Sequence, residues 1–291
     1  MSEKVKAKKE RITLKQYFKN AYKYRYLMNE IVRKNVKLQY RDSFLGMLWT
    51  FLQPLFTMIV LVFIFGNIFG KSNKGVVCYP VYLLTGRLLF EFYTQSTKRA
   101  MRSIRNSASV LKKVYVPKYI YPVANVLSNF VTFAISLTVL IVVMGYFLIK
   151  NGLAGGTIYP DLHLSWYILL CFVPILILCV FCLGVGLILS VLNVFFKDIE
   201  YIYDVICTML FYATPIMYKL KSLGIDEGNM VGKILKLNPL YSIIEMFRCS
   251  VLYCRPFDIN HLIYASVFSV VTLILGVWIF YKNQDKFILH I

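Results

Sequence analysis

Charged side chains disappear from the chain after Asp42 and return only at Lys71. Within that gap, Trp49 to Gly70 is almost wholly apolar. At about 1.5 Å per residue it covers roughly 33 Å, enough for a hydrocarbon core of about 30 Å. Trp49, an interface-favouring residue, stands where the polar lead becomes apolar. Five further apolar segments follow: Tyr79–Gln95 (shorter and more polar), Tyr121–Ile149, Trp166–Phe196 (interrupted by Pro174), Ile202–Tyr218 (ending near Pro215) and Leu262–Tyr281. The third and fourth spans exceed the ~20 residues needed and should tilt or protrude. The pattern predicts an all-α integral membrane protein with six transmembrane helices.

Two other segments show a pattern of their own. From Thr13 onward, Leu14, Tyr17, Phe18, Ala21, Tyr24, Met28, Ile31 and Val32 recur at three- and four-residue steps, with Lys and Arg between them. This predicts a basic amphipathic helix at the membrane surface, or else one packed on a partner. Residues 1–44 thus form a cytoplasmic tail and interfacial helix, and residues 45–291 the membrane domain. Between the fifth and sixth spans, 219–261 contains KILKLNPLYSIIEMFRCSVLY, apolar but broken at Asn238-Pro239. Because Pro disfavours helix at the residue before it and starts helices well, a re-entrant helical hairpin fits better than a seventh span.

Composition agrees: 58% of residues are hydrophobic and only 16% charged, against about a quarter charged in soluble domains. The net charge of +19 belongs beside the spans, where positive-inside residues and anionic headgroups account for it, so nucleic acid is not an expected partner. With the N-terminus inside, 23 Lys/Arg fall in inner segments and nine in outer ones, which predicts both termini in the cytoplasm. The basic lead is too long and charged for a cleaved signal peptide. Of seven Cys, Cys179 and Cys182 form a CxxC inside an apolar run and read as packing residues; Cys78, Cys249 and Cys254 fall toward the outer side, where a disulfide is possible.

Candidate chemistry is sparse. GNMVGKI at Gly228–Ile234 fails as a phosphate loop in spacing and lacks the Ser/Thr after Lys233. His163, His261 and His290 are scattered, and no carboxylate pair or metal-ligand cluster suggests catalysis. Arg87 and Glu91, at i and i+4 in the second span, face one side of a helix. Charges at that depth cost about 2.5–3.5 kcal/mol on insertion scales, so they line a polar path or neutralise each other. Gly66 and Gly70 form a GxxxG that permits close helix approach. The loop 96–120 carries seven basic and no acidic residues, with Met101, Ile104, Ala108 and Leu111 at helical spacing before Pro117. Taken alone it is either a short cytoplasmic helix for a partner or simply positive-inside charge.

A set of residues in order over nearly the whole chain resembles the membrane permeases of ATP-binding-cassette exporters for polysaccharides and teichoic acids. They are Lys37, Leu38, Tyr40, Arg41, Ser43, Leu45, Gly46, Leu48, Trp49 and Pro54; Tyr82 to Gly86; Asn106, Leu111, Lys113, Val114, Pro117 and Pro122; Phe196-Lys197-Asp198, where the family has Phe-Arg-Asp; Pro215, Ile216 and Tyr218; and Asn238, Pro239, Leu240, Ile244, Phe247 and Arg248. Arg87 is not part of that pattern.

The resemblance implies a homodimer bound to two copies of a cytoplasmic ATP-binding subunit in the bacterial plasma membrane. It implies that 96–120, through Ile104, Asn106, Leu111, Lys113 and Pro117, couples to the ATPase, and that Asn238, Pro239, Glu245 and Arg248 belong to an outer gate. The expected cargo is an undecaprenyl-diphosphate-linked glycan or teichoic acid. Arg41, beside Tyr40 on the substrate path, would meet the diphosphate, and Trp49, Tyr82 and Phe90 the sugars; Arg87 and Glu91 join the path on the physical argument alone. No catalytic residue and no cofactor is expected in this chain, ATP and Mg belonging to the partner. Export of a drug, a peptide or another lipid, or a polyprenyl-lipid enzyme, are the other readings.

Overall fold

In the computed structural model, residues 24–41, 43–64, 78–113, 116–153, 165–218, 232 and 235–287 are described. The expectations for residues 1–23, for Gly66 and Gly70, for Val114, for His163 and His290, and for most of Gly228–Ile234 lie outside them. The described residues form helices α1 (Arg25–Tyr40), α2 (Leu48–Val62), α3 (Tyr79–Asn106), a one-turn α4 (Ala108–Leu111), α5 (Ile120–Leu153), α6 (Phe172–Phe195, entered through a 3-10 stretch Trp166–Cys171), α7 (Ile199–Ala213), α8 (Pro239–Val251) and α9 (Ile259–Asn283). Three helical stretches, Ile120–Leu153, Trp166–Phe195 and Ile259–Lys286, are long and apolar enough to cross a bilayer.

Helix α1 packs one face on the N-terminal half of α5. Leu27, Met28, Ile31, Val32, Asn35 and Val36 are half-buried there, while Arg33, Lys34 and Lys37 point away. Asn35 Nδ2 donates to Asn125 Oδ1 at 3.4 Å and to Ser128 Oγ at 3.3 Å. The apolar stripe of this segment therefore has a partner within the chain. Gly46, at φ +48°, turns the chain from α1 into α2, a left-handed conformation that a side chain rarely adopts. Pro54 inside α2 has no N–H for the Thr50 carbonyl four residues back. Ser136 Oγ of α5 donates to that carbonyl instead, at 3.4 Å.

Helix α3 is the central element, packed on α5 on one side and α6 on the other. It is 28 residues long, running about 42 Å, and does not end near Gln95 as its polarity suggests. Along its last three turns Lys98, Arg102 and Arg105 meet carboxylates on α7, and buried Thr97 and Ser103 satisfy their hydroxyls on carbonyls of their own helix. The stretch after Gln95 is therefore mostly helix rather than loop, with only Ser107–Lys113 forming a separate tip.

Pro174 does not interrupt a span. It lies in the first turn of α6, where its missing N–H has no carbonyl waiting. Helix α7 starts earlier than expected, at Ile199, and stops at Ala213, since Pro215 drives Thr214 into an extended conformation. At 15 residues it buries only Tyr203 and Cys207. Helix α8, 13 residues or about 20 Å, is too short to span and is nearly all buried.

Two glycines on α6 set the packing. Positions 184 and 186 are about 200° apart around the helix, so they serve opposite neighbours. A β-carbon on Gly276 of α9 would stand 2.5 Å from the Gly184 carbonyl oxygen, and one on Gly186 would stand 2.8 Å from Ala100 Cβ of α3. Near the C-terminal end of α3, Phe287 packs in one cluster with Ile104, Tyr121, Leu187 and Val191. Lys118 Nζ donates to the Gln284 carbonyl beside it. Burial lowers the Lys118 pKa below its ordinary value, with Asp285 opposing the shift.

Candidate functional site

Three polar assemblies interrupt the apolar packing, and α3 carries part of each. The first is a cavity of about 300 Å³ between α1, α2, α3 and α5. Arg87, Glu91, Gln95 and Arg99 follow one another at four-residue steps along α3, and all but Arg87 line it. Arg87 Nε lies 3.7 Å from Glu91 Oε2, and Gln53 Nε2 of α2 donates to Glu91 Oε1 at 3.4 Å. Arg99 Nη1 donates to Gln39 Oε1 at 2.8 Å. Deeper in, Asn129 Nδ2 donates to Ser96 Oγ at 2.9 Å. Tyr40 hydrogen-bonds Thr50 on the cavity wall, and Trp49, 46% exposed, stands at its rim. Tyr40 also lines an adjoining cleft on α1 where Arg33, Lys37 and Arg41 surround Val32, Val36 and Met47. Of the residues expected along a substrate path, Tyr40, Trp49 and Glu91 meet at this cavity, and Arg41 lies next door.

Arg87 turns toward α7, its guanidinium carbon 5.2 Å from the Phe211 ring centroid, and lines a second cleft with Glu91, Gln95 and Lys98. Tyr82 and Phe90 are 2% and 5% exposed. Phe90 packs on Phe211, centroids 5.3 Å apart, so neither ring is open to a passing sugar in this chain.

The second assembly joins the C-terminal end of α3 to α7. Lys98 Nζ pairs with Asp204 Oδ1 at 2.8 Å, Arg102 Nε with Glu200 Oε2 at 3.0 Å, and Arg105 Nη1 with Glu200 Oε1 at 3.6 Å. Asn193 Nδ2 also donates to Glu200, and Tyr203 donates to Thr97 Oγ1 at 2.7 Å. Beyond the ladder the chain exposes Asn106, Val110 and Lys113, with Leu111 and Pro117 half-buried. Ile104, expected at the same surface, is fully buried beneath it.

The third assembly is at the far end of α3. Arg248 of α8 is 1% exposed, with no carboxylate within ion-pair distance among the described residues. Its Nη1 donates to the Pro215 carbonyl at 2.9 Å, and its Nη2 to those of Ile216 at 3.0 Å and Tyr82 at 3.3 Å. Two of these carbonyls belong to the turn that follows α7 and one to the first turn of α3. Tyr82 donates to the Tyr218 carbonyl at 2.9 Å and Tyr79 to that of Met217 at 3.0 Å. Asn238 accepts from the Leu240 amide as the N-cap of α8 and donates to Thr214 Oγ1 at 2.8 Å. The 214–218 turn is thus gripped by α3 and α8 together. Pro239 is buried and Glu245 half-buried on α8.

The Gln and Asn side chains of the cavity and the acids of α7 were missed as a set by sequence reading. The four-residue series from Arg87 to Arg99 was the signal available for the first. All seven cysteines are free, including Cys78, Cys249 and Cys254, for which a disulfide was possible. No cluster of three or more metal-ligating side chains occurs among the described residues.

Long apolar helices around one polar-striped helix define a multi-pass membrane protein whose interior carries charge on one face. Residues 26–252 match the ABC-2 type transporter family, and the chain belongs to it. It is 30% identical over 266 residues to the O-antigen export system permease protein RfbA of Myxococcus xanthus, covering 91% of this chain and 95% of that one. It is 27% identical to an RfbA of Klebsiella pneumoniae (90% and 93% covered) and 24% identical to the polysialic acid transport protein KpsM of Escherichia coli (87% and 91%). The chain is the permease subunit of an ABC-2 type exporter and works with a separate ATPase; it has no enzymatic activity of its own.

Proposed function

We propose that two copies of this chain, with two copies of a cytoplasmic ATP-binding subunit, export a polysaccharide carried on a polyprenyl diphosphate across the bacterial plasma membrane. The observation that carries this reading is the full-length likeness to permeases named for O-antigen export and polysialic acid transport. The spans are α2, α3, α5, the stretch 166–195, α7 together with the 214–218 turn that continues it, and α9, with both termini in the cytoplasm and α8 as a re-entrant half-helix on the outer side. The ATPase docks on the tip Asn106–Lys113 and Pro117, supported from within by Ile104. Arg41 and its neighbours on α1 receive the diphosphate, since guanidinium and ammonium groups pair with phosphate oxygens. Tyr40, Trp49, Glu91 and Arg87 flank the path, while Tyr82 and Phe90 brace α3 behind it.

The exposed apolar side of α7, with Tyr201, Ile202, Val205, Met209 and Tyr212, supports pairing with a second copy. ATP binding shifts the docked tip, α3 carries the displacement outward, and the assembly around Asn238, Pro239, Glu245 and Arg248 opens the outer side. The test is complementation of a strain lacking its own polysaccharide permease, with the cognate ATPase co-expressed. Restored surface polysaccharide is expected. Its absence, with both proteins assembled in the membrane, refutes the assignment.

A further inference from the structure

The cavity between α1, α2, α3 and α5 has a chemistry distinct from the cationic cleft beside it. Its charged groups already have partners: Glu91 faces Arg87 and Gln53, and Arg99 is held by Gln39. What remains open to a ligand is neutral. The Gln95 amide has no hydrogen-bond partner among the described residues, the Thr132 hydroxyl donates to Gln39 Oε1 at 3.4 Å and to the Ser128 carbonyl at 3.3 Å but keeps its lone pairs for a ligand, and the Trp49 ring stands at the rim. Uncharged amides and hydroxyls beside one aromatic face suit a polyhydroxylated neutral ring, which offers both hydrogen-bonding edges and an apolar C–H face. The volume, about 300 Å³, is at the low end for small-ligand sites and holds one sugar unit rather than a polymer.

Position completes the argument. Tyr40 lines both this cavity and the cleft in which Arg33, Lys37 and Arg41 stand over Val32, Val36, Met47 and Val131. A lipid whose acyl or prenyl chain lies on those apolar residues brings its phosphates to the three cations. The group bonded next to the phosphate then arrives at Tyr40 and the cavity mouth. We infer that the cavity is a specificity site for the carrier-proximal sugar of the cargo, a neutral monosaccharide read by Gln53, Gln95 and Thr132 and covered by Trp49. This rests on the lipid-carrier reading above and adds that the permease distinguishes a loaded carrier from a bare one.

The experiment uses the complex of this chain with its ATPase in nanodiscs, titrated with undecaprenyl diphosphate with and without one glucosyl unit. The wild-type complex should prefer the glucosylated lipid by about tenfold, as expected for two to three added hydrogen bonds. The double variant Gln95→Leu/Thr132→Val, altered at cavity-wall positions outside the packed core, should reduce that preference to about twofold or less. Arg41→Ala should weaken both lipids alike. Equal affinity of the wild type for the two lipids, or a preference untouched in the double variant, overturns the sugar site while leaving the carrier reading intact. Failure of both lipids to bind removes the carrier reading and the sugar site with it.

Discussion

The guanidinium carbon of Arg248 stands 3.6 Å from the centroid of the Tyr82 ring, and this contact ties α8 to α3. Among the described residues the buried cation has no carboxylate partner; it is held by three backbone carbonyls and an aromatic face. Charge-assisted bonds of this kind are roughly twice as strong as neutral ones, and cation–π contact adds about 2 kcal/mol when desolvated. Replacing Arg248 with Met should cost about 3 kcal/mol and lower the thermal midpoint of the purified chain by several degrees. An unchanged midpoint means that the 214–218 turn is held by other groups.

Gly86 makes room for that guanidinium. A β-carbon there would lie 2.6 Å from Arg248 Nη2. Gly86→Ala is therefore expected to destabilise the chain, and Arg248→Lys, with its narrower head, to lessen the effect. Coupling of at least about 0.5 kcal/mol in a double-mutant thermal cycle is the predicted outcome; strict additivity contradicts the contact.

At the crossing of α6 and α9, the backbone itself is the neighbour. Gly276→Ala places a methyl group against the Gly184 carbonyl, which cannot turn aside as a side chain would. The expected penalty is about 3 kcal/mol, seen as loss of monodisperse protein in size-exclusion chromatography. Normal yield and elution from Gly276→Leu would show that the helices part more easily than their geometry indicates.

The ladder between α3 and α7 is partly exposed, so each pair contributes only about 0.5–1 kcal/mol. Its effect should therefore lie in transport rather than folding. Asp204→Lys is predicted to reduce surface polysaccharide in the complementation strain, and adding Lys98→Asp to restore most of it. A double variant as inactive as the single one rules out pairing as the reason.

Val110 and Ile104 separate docking from folding. Val110, 44% exposed at the tip, should as Asp abolish co-purification of the ATPase while leaving the thermal midpoint in place. Ile104→Ala removes a fully buried side chain and should cost about 2–4 kcal/mol. The docking surface is misassigned if Val110→Asp retains the ATPase.

Much of the architecture was legible because lipid imposes long uncharged runs: the boundary at Trp49 and the helix beginning at Pro239 follow from composition and from the missing N–H of proline. The length of α3 was not legible. Lys98, Arg102 and Arg105 resemble loop charges until Glu200 and Asp204, a hundred residues later, are placed beside them. Pro174 and Pro54 illustrate the same gap: the former lies harmlessly in a first turn, while the latter is compensated by Ser136, which no local pattern marks. Gly184 and Gly186 escaped notice because their spacing of two is not a one-faced helix motif; it serves two neighbours instead. Arg248 was flagged by its place in a family-like motif, but its burial could not be inferred from an interval near a proline.

Helix α7 is fastened mainly at its ends, by the Glu200 and Asp204 pairs at one and by the grip on residues 214–218 at the other, with Val205, Ile206 and Met209 facing outward between them. The free energy of that middle section is therefore set by whatever medium touches it. Detergent, lipid of a given thickness, or a second copy each solvates it differently, while α3 and α6 remain screened. Choice of solubilising agent thus acts as a perturbation aimed at one helix, and spectroscopic probes on α7 should report it before any global property of the chain changes.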